Sequence, residues 1–316
     1  MTVPAREKPA PTKPRALRPG DRVAIVSPAS PFSRDEFDKG AAELKRLGFE
    51  PVYHSSVFDR SLFTSGPAEL RAAAFVRAWS DPDVAAVIAV RGGYGSVQLL
   101  PQLDGWNPGQ NPKLFIAYSD NTSLMTWLTC HHDVPVLHGP MLDGRLAKGS
   151  EGYDERSFMA LVTGETGIEL APESLRVIRD GEATAPMFGG TMTQLCASLG
   201  TPYAFVPPEG CVLFLEDVNE RPYKIDRMLM QLRLAGVLNR ASALVFGEMR
   251  GCDEPNGELR IQDLLPELLE DFDGPILTGF PSGHTTGPCW SLPLGIRVRV
   301  RATGAPAIVI EESPVG

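Results

Sequence analysis

Residues 113–124 read KLFIAYSDNTSL and join the end of a strand to the start of a helix. The apolar run Phe115 to Ala117 predicts a short buried strand, and Ser119 and Asp120 precede a helix-compatible segment. A serine at a strand-to-helix turn presents its hydroxyl at the carboxyl end of the strand. The free N–H groups of the helix start lie beside that hydroxyl and can receive a developing negative charge. Ser119 is therefore a candidate nucleophile.

The turn departs from the usual nucleophile elbow, which has glycine two residues before and two residues after the serine. Ala117 and Asn121 occupy these positions here. Both are small enough for a tight turn, and asparagine tolerates left-handed backbone angles. Ser and Asp are also favoured as helix caps, so this window by itself favours an ordinary cap over a nucleophile. A nucleophilic role requires a base and a group that orients the base.

Strand and helix patterns alternate outward from this turn. Strands are predicted at 23–26, 85–90, 115–117 and 134–137, and helices at 35–47, 68–79 and 122–130. This alternation indicates a parallel sheet covered on both faces, in which ligands bind beyond the carboxyl ends of the strands. We therefore expect an α/β fold with a flavodoxin- or Rossmann-like parallel-sheet domain over residues 17–143.

The second half of the chain is more mixed. Residues 144–185 are polar and Gly-rich, and we interpret them as a linker. Strands are then predicted at 212–215, 243–246, 296–300 and 307–310, and helices at 191–199 and around 225–232. This pattern predicts a smaller mixed α+β C-terminal domain over 186–316. Residues 1–16, rich in proline and charge, predict a disordered tail.

Composition excludes several classes of protein. The 316 residues carry a net charge of −9, which argues against a nucleic-acid partner. No apolar run is long enough to span a membrane, and the N-terminus lacks the apolar segment of a signal peptide, so we expect a cytoplasmic protein. The five cysteines show no paired spacing that would predict a disulfide framework or a zinc site: Cys130, Cys196, Cys211, Cys252 and Cys289.

Histidine is the side chain best suited to accept the serine proton near neutral pH. The candidates are His54, His131, His132, His138 and His284. His284 lies in the Gly/Pro-rich loop 279–288, a composition typical of functional loops. His131 and His132 end a helix, where a cation is favourable, and His138 at a strand end is a competitor. For the group that orients the base, we consider Glu216, Asp217 and Glu248, which all follow buried strands.

The loop Arg91-Gly92-Gly93-Tyr94-Gly95 directly follows a predicted strand. Consecutive glycines allow the backbone to approach a ligand closely and to direct N–H groups at an anion. The loop lacks the spacing of a dinucleotide fingerprint, and the chain has no phosphate-binding P-loop motif, so no cofactor is expected. The N–H groups of Gly93 and Asp120 could form an oxyanion hole, although a simple tight turn also explains the loop.

Four motifs taken together resemble the LD-carboxypeptidases, the S66-type serine peptidases. They are RGGYG (91–95), KLFIAYSDNTSL (113–124), LFLEDVNERPYKIDRML (213–229) and GFPSGHTTGPCWSLPLG (279–295). The resemblance covers about residues 17–310. It implies a triad of Ser119, Glu216 and His284, hydrolysis of an L,D-peptide bond at the C-terminus of a short peptide such as a muropeptide, and a homodimer. The family usually has glycine where this chain has Ala117.

The resemblance assigns the substrate contacts less firmly than the triad. Arg91 is the candidate for the substrate carboxylate, with Gly92 and Tyr94 beside it, and no metal is required. The family also includes microcin C immunity peptidases, which cleave an amide in a peptidyl-nucleotide. That alternative needs an aromatic side chain that stacks on the base, and the candidates are Tyr153, Phe158 and Trp290. Two further readings are a non-catalytic binding protein and a metallopeptidase that uses His131, His132 or His138.

Overall fold

The computed structural model describes residues 13–316. Most of the predicted N-terminal tail lies outside the described residues. Its last residues, 13–16, are held against the C-terminal end of the chain, in contrast to the prediction. Lys13 pairs with Glu312 at 2.7 Å, and the N–H of Ala16 donates to the carbonyl of Gly316 at 2.9 Å.

The strands of the described chain are β1 (Arg22–Val26), β2 (Glu50–Val52), β3 (Val84–Ala89), β4 (Leu114–Ala117), β5 (Val136–His138), β6 (Ile168–Leu170), β7 (Arg176–Arg179), β8 (Glu182–Thr191), β9 (Cys211–Glu216), β10 (Ala241–Gly247), β11 (Ile276–Phe280), β12 (Leu292–Leu294), β13 (Arg297–Arg301) and β14 (Ala307–Ile310). The α-helices are α1 (Arg34–Arg46), α2 (Ala68–Ser80), α3 (Thr122–Thr126), α4 (Glu155–Thr163), α5 (Met192–Ser198), α6 (Pro222–Leu234) and α7 (Ile261–Leu268). Within residues 13–316, no helix is both long and apolar enough to cross a membrane.

The first sheet has the order β12-β5-β4-β3-β1-β2, and its strands β1 to β5 are parallel. Every residue of β3 is buried, as expected for a parallel strand with helices on both faces. The edge strand β12 comes from far along the chain and pairs antiparallel with β5. The α/β prediction is confirmed. Ser119 lies just beyond the carboxyl end of β4, on the side of the sheet where the parallel strands end.

The second sheet has the order β6-β14-β13-β8-β9-β10-β11-β7. Its strands β8 to β11 are parallel, and the flanking strands pair antiparallel, including β13 with β14. The region 144–185, interpreted as a linker, contributes α4, β6, β7 and the first part of β8. The second sheet therefore has more strands than the first, although the sequence predicted a smaller second unit.

The two sheets share one hydrophobic core. A single buried cluster joins Val87 and Phe115 of the first sheet to Phe214 and Val245 of the second. A separate cluster, which includes Leu213 and residues of α5, α6 and α7, lies on the other face of the second sheet. Because interiors are close-packed, the shared cluster holds the carboxyl ends of β4 and β9 in a defined relation.

Candidate active site

The nucleophile turn is strained at the serine itself. Ser119 follows β4 after Tyr118 and has a φ of +66°, in the left-handed region. This conformation costs an L-residue about 1–2 kcal/mol, and such residues cluster at functional sites. The sequence suggested Asn121 as the residue that tolerates such angles, but Asn121 has a φ of −65°. Its side-chain Nδ2 instead donates to the carbonyl of Arg91 at 3.1 Å, which ties the turn to the glycine-rich loop.

The glycine-rich loop lies directly against Ser119. A Cβ added to Gly92 would lie 2.7 Å from the Ser119 Oγ and 3.3 Å from the Asp120 nitrogen. The next residue, Gly93, has a φ of +100°, and its N–H donates to no other group of residues 13–316. The N–H of Asp120 belongs to a first helical turn, so it has no partner within the helix. The structure thus places Gly92, the neighbour of Gly93, against the serine hydroxyl and the Asp120 nitrogen, and the oxyanion hole of Gly93 and Asp120 stays a prediction.

The carboxylate of Asp120 holds the far end of the same loop. Its Oδ2 accepts a hydrogen bond from the N–H of Ser96 at 2.8 Å, and the Ser96 hydroxyl donates to the Asp120 carbonyl. Burial raises the pKa of Asp120, although the hydrogen bonds from Ser96 and Gly95 oppose this shift. With Asn121 bound at Arg91, the loop is attached to the nucleophile turn at both ends.

Glu216 and His284 form a buried acid–base pair. Glu216 is the last residue of β9 and is 1% exposed. Its Oε2 accepts hydrogen bonds from the His284 Nδ1 at 2.8 Å and from the His284 backbone N–H at 3.1 Å. Because Nδ1 faces a carboxylate, it carries the proton, and Nε2 is the basic nitrogen. This is the orientation that a general base for a serine requires.

Each partner shifts the pKa of the other so that the charged form is favoured. Burial alone would raise the pKa of Glu216, but the charge and hydrogen bond of His284, with smaller contributions from His138 and Thr191, lower it well below its usual value. Burial alone would lower the pKa of His284, but the Glu216 carboxylate outweighs it and raises this pKa above 6.5. Glu216 therefore stabilises the imidazolium that forms when His284 accepts a proton.

Tyr118 connects the serine to the base. Its ring packs edge-on against the His284 ring, with 5.2 Å between the ring centroids. Ser119 is the next residue in the chain, so it lies on the same side of the first sheet as His284. The Ser119 hydroxyl makes no hydrogen bond with the imidazole within the described chain. Catalytic hydrogen bonds commonly tighten only when substrate binds.

The other acids and histidines have different partners. Glu248 accepts a hydrogen bond from the N–H of Thr286 at 2.8 Å, and Asp217 accepts one from the N–H of Thr193 at 2.9 Å. His138 is fully buried, which lowers its pKa to about 4, and its Nδ1 lies 2.8 Å from the Ser282 Oγ.

The remaining histidines lie apart from this pair. The His54 Nδ1 accepts from the N–H of Ser56, the His131 Nε2 lies 3.2 Å from the Ala204 carbonyl, and the His132 ring packs on Trp127. The predicted metal alternative uses His131, His132 or His138. Across residues 13–316, no three His, Cys, Asp or Glu side chains gather where they could hold a metal ion.

The predicted substrate contacts Arg91 and Tyr94 are both partly exposed beside the glycine-rich loop. Arg91 is 49% exposed and pairs with Asp143 at 3.3 Å. Tyr94 is 45% exposed, and its ring packs against the exposed ring of Phe63 at 5.4 Å between centroids.

Two predicted stacking residues are not available to a ligand. Tyr153 and Phe158 are both 1% exposed and belong to the hydrophobic core. The Tyr153 hydroxyl also donates to Glu43 at 2.7 Å. Trp290 is partly buried against the same core. Tyr153 and Phe158 therefore act in packing, and stacking by Trp290 stays a prediction.

Sequence reasoning missed Arg145. Its guanidinium donates to the carbonyls of Gly283 at 2.8 Å, Thr285 at 3.0 Å and Gly287 at 3.1 Å. It therefore holds the loop that carries His284 on both sides of the imidazole. Arg145 lies in the segment interpreted as a linker, and a single arginine in a polar segment gives no periodic signal. Only the fold reveals its role.

Comparisons with known proteins agree on one family. The model described as the LD-carboxypeptidase N-terminal domain matches residues 23–139, and that of the C-terminal domain matches residues 184–300. A Streptomyces coelicolor relative with carboxypeptidase in its name is 34% identical over 92% of this chain and 93% of its own. The crystal structure of muramoyltetrapeptide carboxypeptidase from Oxalobacter formigenes is 28% identical, covers 93% of this chain and 100% of its own, and has a TM-score of 0.81.

One further relative is named for self-immunity to microcin C7 and not for a carboxypeptidase activity. The microcin C7 self-immunity protein MccF of Escherichia coli is 26% identical over 90% of this chain and 91% of its own. A structure of MccF in complex with glutamyl sulfamoyl guanosine has a TM-score of 0.86 at 23% identity, over 97% of this chain and 100% of that one.

Proposed function

The chain belongs to the LD-carboxypeptidase family, and from this premise we propose that it is a serine carboxypeptidase acting on a murein-type tetrapeptide. It would cleave the L,D-peptide bond before the C-terminal residue and release that residue. The observation that carries the proposal is the Glu216–His284 pair, together with the strained Ser119 that lies against Gly92.

In the proposed reaction, the Ser119 Oγ attacks the carbonyl carbon of the scissile bond while the His284 Nε2 accepts its proton. Glu216 holds the imidazole in position and stabilises its cation. The N–H groups of Gly93 and Asp120 bind the oxyanion, a contribution that is typically about 2.7–4 kcal/mol per donor. The imidazolium then gives its proton to the leaving amine. Water activated by His284 hydrolyses the acyl-enzyme and regenerates the serine.

An exopeptidase must also bind a free carboxylate, and we assign this role to Arg91. Its pairing with Asp143 leaves the guanidinium half-exposed at the mouth of the site, where a substrate carboxylate could replace or share the partner. Gly92 and Tyr94 complete this side of the proposed substrate site.

The direct test combines Ser119→Ala with labelling by a serine-directed fluorophosphonate. We expect wild-type protein to release D-alanine from an L,D-tetrapeptide and to carry the label on Ser119, whereas the variant does neither but remains folded. Turnover by Ser119→Ala would remove the serine mechanism. Binding of the peptide without turnover or labelling of the wild-type protein would support the non-catalytic reading. Reversible loss of activity in EDTA would support a metal mechanism.

A second candidate is an immunity-type peptidase that cleaves an aminoacyl-nucleotide amide. The exposed Phe63–Tyr94 ring pair favours it, because exposed aromatic faces beside a catalytic site can stack on a nucleobase. Turnover of an L,D-tetrapeptide and of glutamyl sulfamoyl guanosine, measured side by side, separates the two. We expect the tetrapeptide to have the larger kcat/KM, and the reverse ranking would favour the immunity role.

The resemblance to the family also leads us to propose a homodimer in the cytoplasm. Light scattering coupled to gel filtration should give twice the 34.2 kDa chain mass. Cell fractionation should recover the protein with cytoplasmic markers. A monomer mass, or recovery with another fraction, would overturn the corresponding part.

A further inference from the structure

One buried residue, Thr191, contacts both halves of the candidate site. It is the last residue of β8, and its hydroxyl donates a hydrogen bond to the Glu216 Oε1. Its backbone N–H donates to the Thr122 Oγ1 at 3.1 Å. Thr122 begins α3, three residues after Ser119. The contacts therefore run from the nucleophile helix of the first sheet to the acid of the second.

The hydroxyl of Thr191 is not used as a helix cap. Thr191 is the N-cap residue of α5, where a threonine hydroxyl usually accepts a hydrogen bond from an N–H of the first turn. Here it makes no capping bond. The carboxylate of Asp217 instead accepts from the N–H of Thr193 at 2.9 Å. Asp217 therefore caps the first turn of the helix, and the Thr191 hydroxyl is free to bind Glu216.

Two glycines allow the backbone of this segment to come so close. A Cβ on Gly190 would lie 2.7 Å from the Thr122 Oγ1, and one on Gly189 would lie 1.9 Å from the Phe214 carbonyl oxygen. Both glycines have a φ of +137°, a conformation that L-residues rarely adopt. Residues 189–191 therefore pack closely against both β9 and the nucleophile helix.

We propose that Thr191 is a positioning residue that fixes the Glu216 carboxylate relative to the nucleophile helix. This inference rests on the proposed triad. Glu216 uses Oε2 for His284 and Oε1 for Thr191, so both oxygens have a partner and the carboxylate cannot rotate freely. Without the hydroxyl, Oε1 becomes a buried acceptor with no partner. The carboxylate then loses the orientation that holds the imidazole.

The test compares Thr191→Val with Thr191→Ser. Valine keeps the shape of the side chain and the backbone N–H that binds Thr122, and it removes only the hydroxyl. We expect kcat on the L,D-tetrapeptide to fall about 10- to 100-fold, the size expected for losing a hydrogen bond to a charged group. KM should change less than about twofold, because Thr191 contacts no substrate. Fluorophosphonate labelling of Ser119 should slow in parallel, and serine should restore most of the rate.

The matched control is Thr193→Val, which removes a hydroxyl that donates to the neighbouring carboxylate of Asp217 at 2.9 Å. It should alter stability without lowering kcat. Should Thr191→Val fail to fold, Thr191→Ala removes the same hydroxyl without adding bulk. A folded variant without the hydroxyl but with wild-type kcat and labelling rate would overturn the proposal. Turnover by Ser119→Ala would instead refute the triad, so the two failures are distinguishable.

Discussion

Replacing Gly92 by alanine tests whether Ser119 needs its close contact with the glycine-rich loop in order to react. The new Cβ would lie 2.7 Å from both the Cβ and the Oγ of Ser119, whereas ordinary contacts begin at 3.4 Å. Loop and serine must therefore separate by about 0.7 Å. A displacement of about 1 Å in a catalytic group can cost about 100-fold in rate, and loss of one oxyanion donor costs about 10²- to 10³-fold. We expect kcat to fall by about 10²- to 10³-fold.

The assay measures release of D-alanine from an L,D-tetrapeptide, fluorophosphonate labelling of Ser119, and thermal unfolding. Overpacking costs about 1–3 kcal/mol, so Gly92→Ala should remain folded at the assay temperature. Gly20→Ala is the control, because Gly20 has a φ of +87° and open space around it, before β1 and at the opposite edge of the sheet. It should lose about 1–2 kcal/mol of stability and keep full activity. A wild-type kcat in Gly92→Ala would show that Ser119 does not need close contact with this loop in order to react.

Three further predictions concern the charged groups of the site. Glu216→Gln should lower kcat by about 10³- to 10⁴-fold, as loss of the triad acid does elsewhere, while Glu248→Gln should change it little; the opposite ranking in steady-state kinetics would reassign the acid. Because His284 must be neutral to act as a base and its pKa is raised, kcat/KM should fall as the pH drops through an apparent pKa above 6.5. The acid limb of any residual activity should move to lower pH in Glu216→Gln, and an unmoved limb would mean that another group titrates. Arg91→Gln should raise KM about tenfold with little change in kcat or melting temperature, since its ion pair with Asp143 is half-exposed at the arginine and should contribute only about 0–1 kcal/mol; an unchanged KM would exclude Arg91 as the carboxylate ligand.

The fold could be predicted where the sequence is periodic. Strand β3 and helix α1 were found within about one residue, because an unbroken apolar run and helical apolar spacing are strong local signals. The strands of 144–185 were missed for the opposite reason. The strand β7 is only partly buried at a sheet edge, and β8 begins with half-exposed residues, so neither is continuously apolar. Their structure comes from pairing with distant strands, which no local pattern encodes.

At the candidate site, the sequence predicts the reactive side chains more readily than the residues that position them. Ser119 and Glu216 each end or follow a buried strand, a placement that strand patterns predict. Nothing local distinguishes Glu216 from Glu248, because both meet the 283–287 loop and the choice depends on which carboxylate contacts the His284 imidazole in three dimensions. Thr191 and Arg145 were missed because hydroxyl and guanidinium groups that bind buried partners look like ordinary polar residues in a sequence.

The path of the chain explains how residues so far apart in sequence can form one site. The loop of His284 leaves the second sheet at the end of β11 and enters the first sheet as β12, paired with β5. The base therefore lies on the segment that crosses between the sheets, with Arg145 holding its carbonyls. Thr191 makes a second crossing, from Glu216 to the helix that follows Ser119. Because the Thr191 crossing is buried and the sheets share one core, a hinge that separated the sheets would also separate the acid and the base from the nucleophile. We therefore expect substrate binding to bring His284 and Ser119 into hydrogen-bond contact by local loop adjustment, with the two sheets remaining fixed.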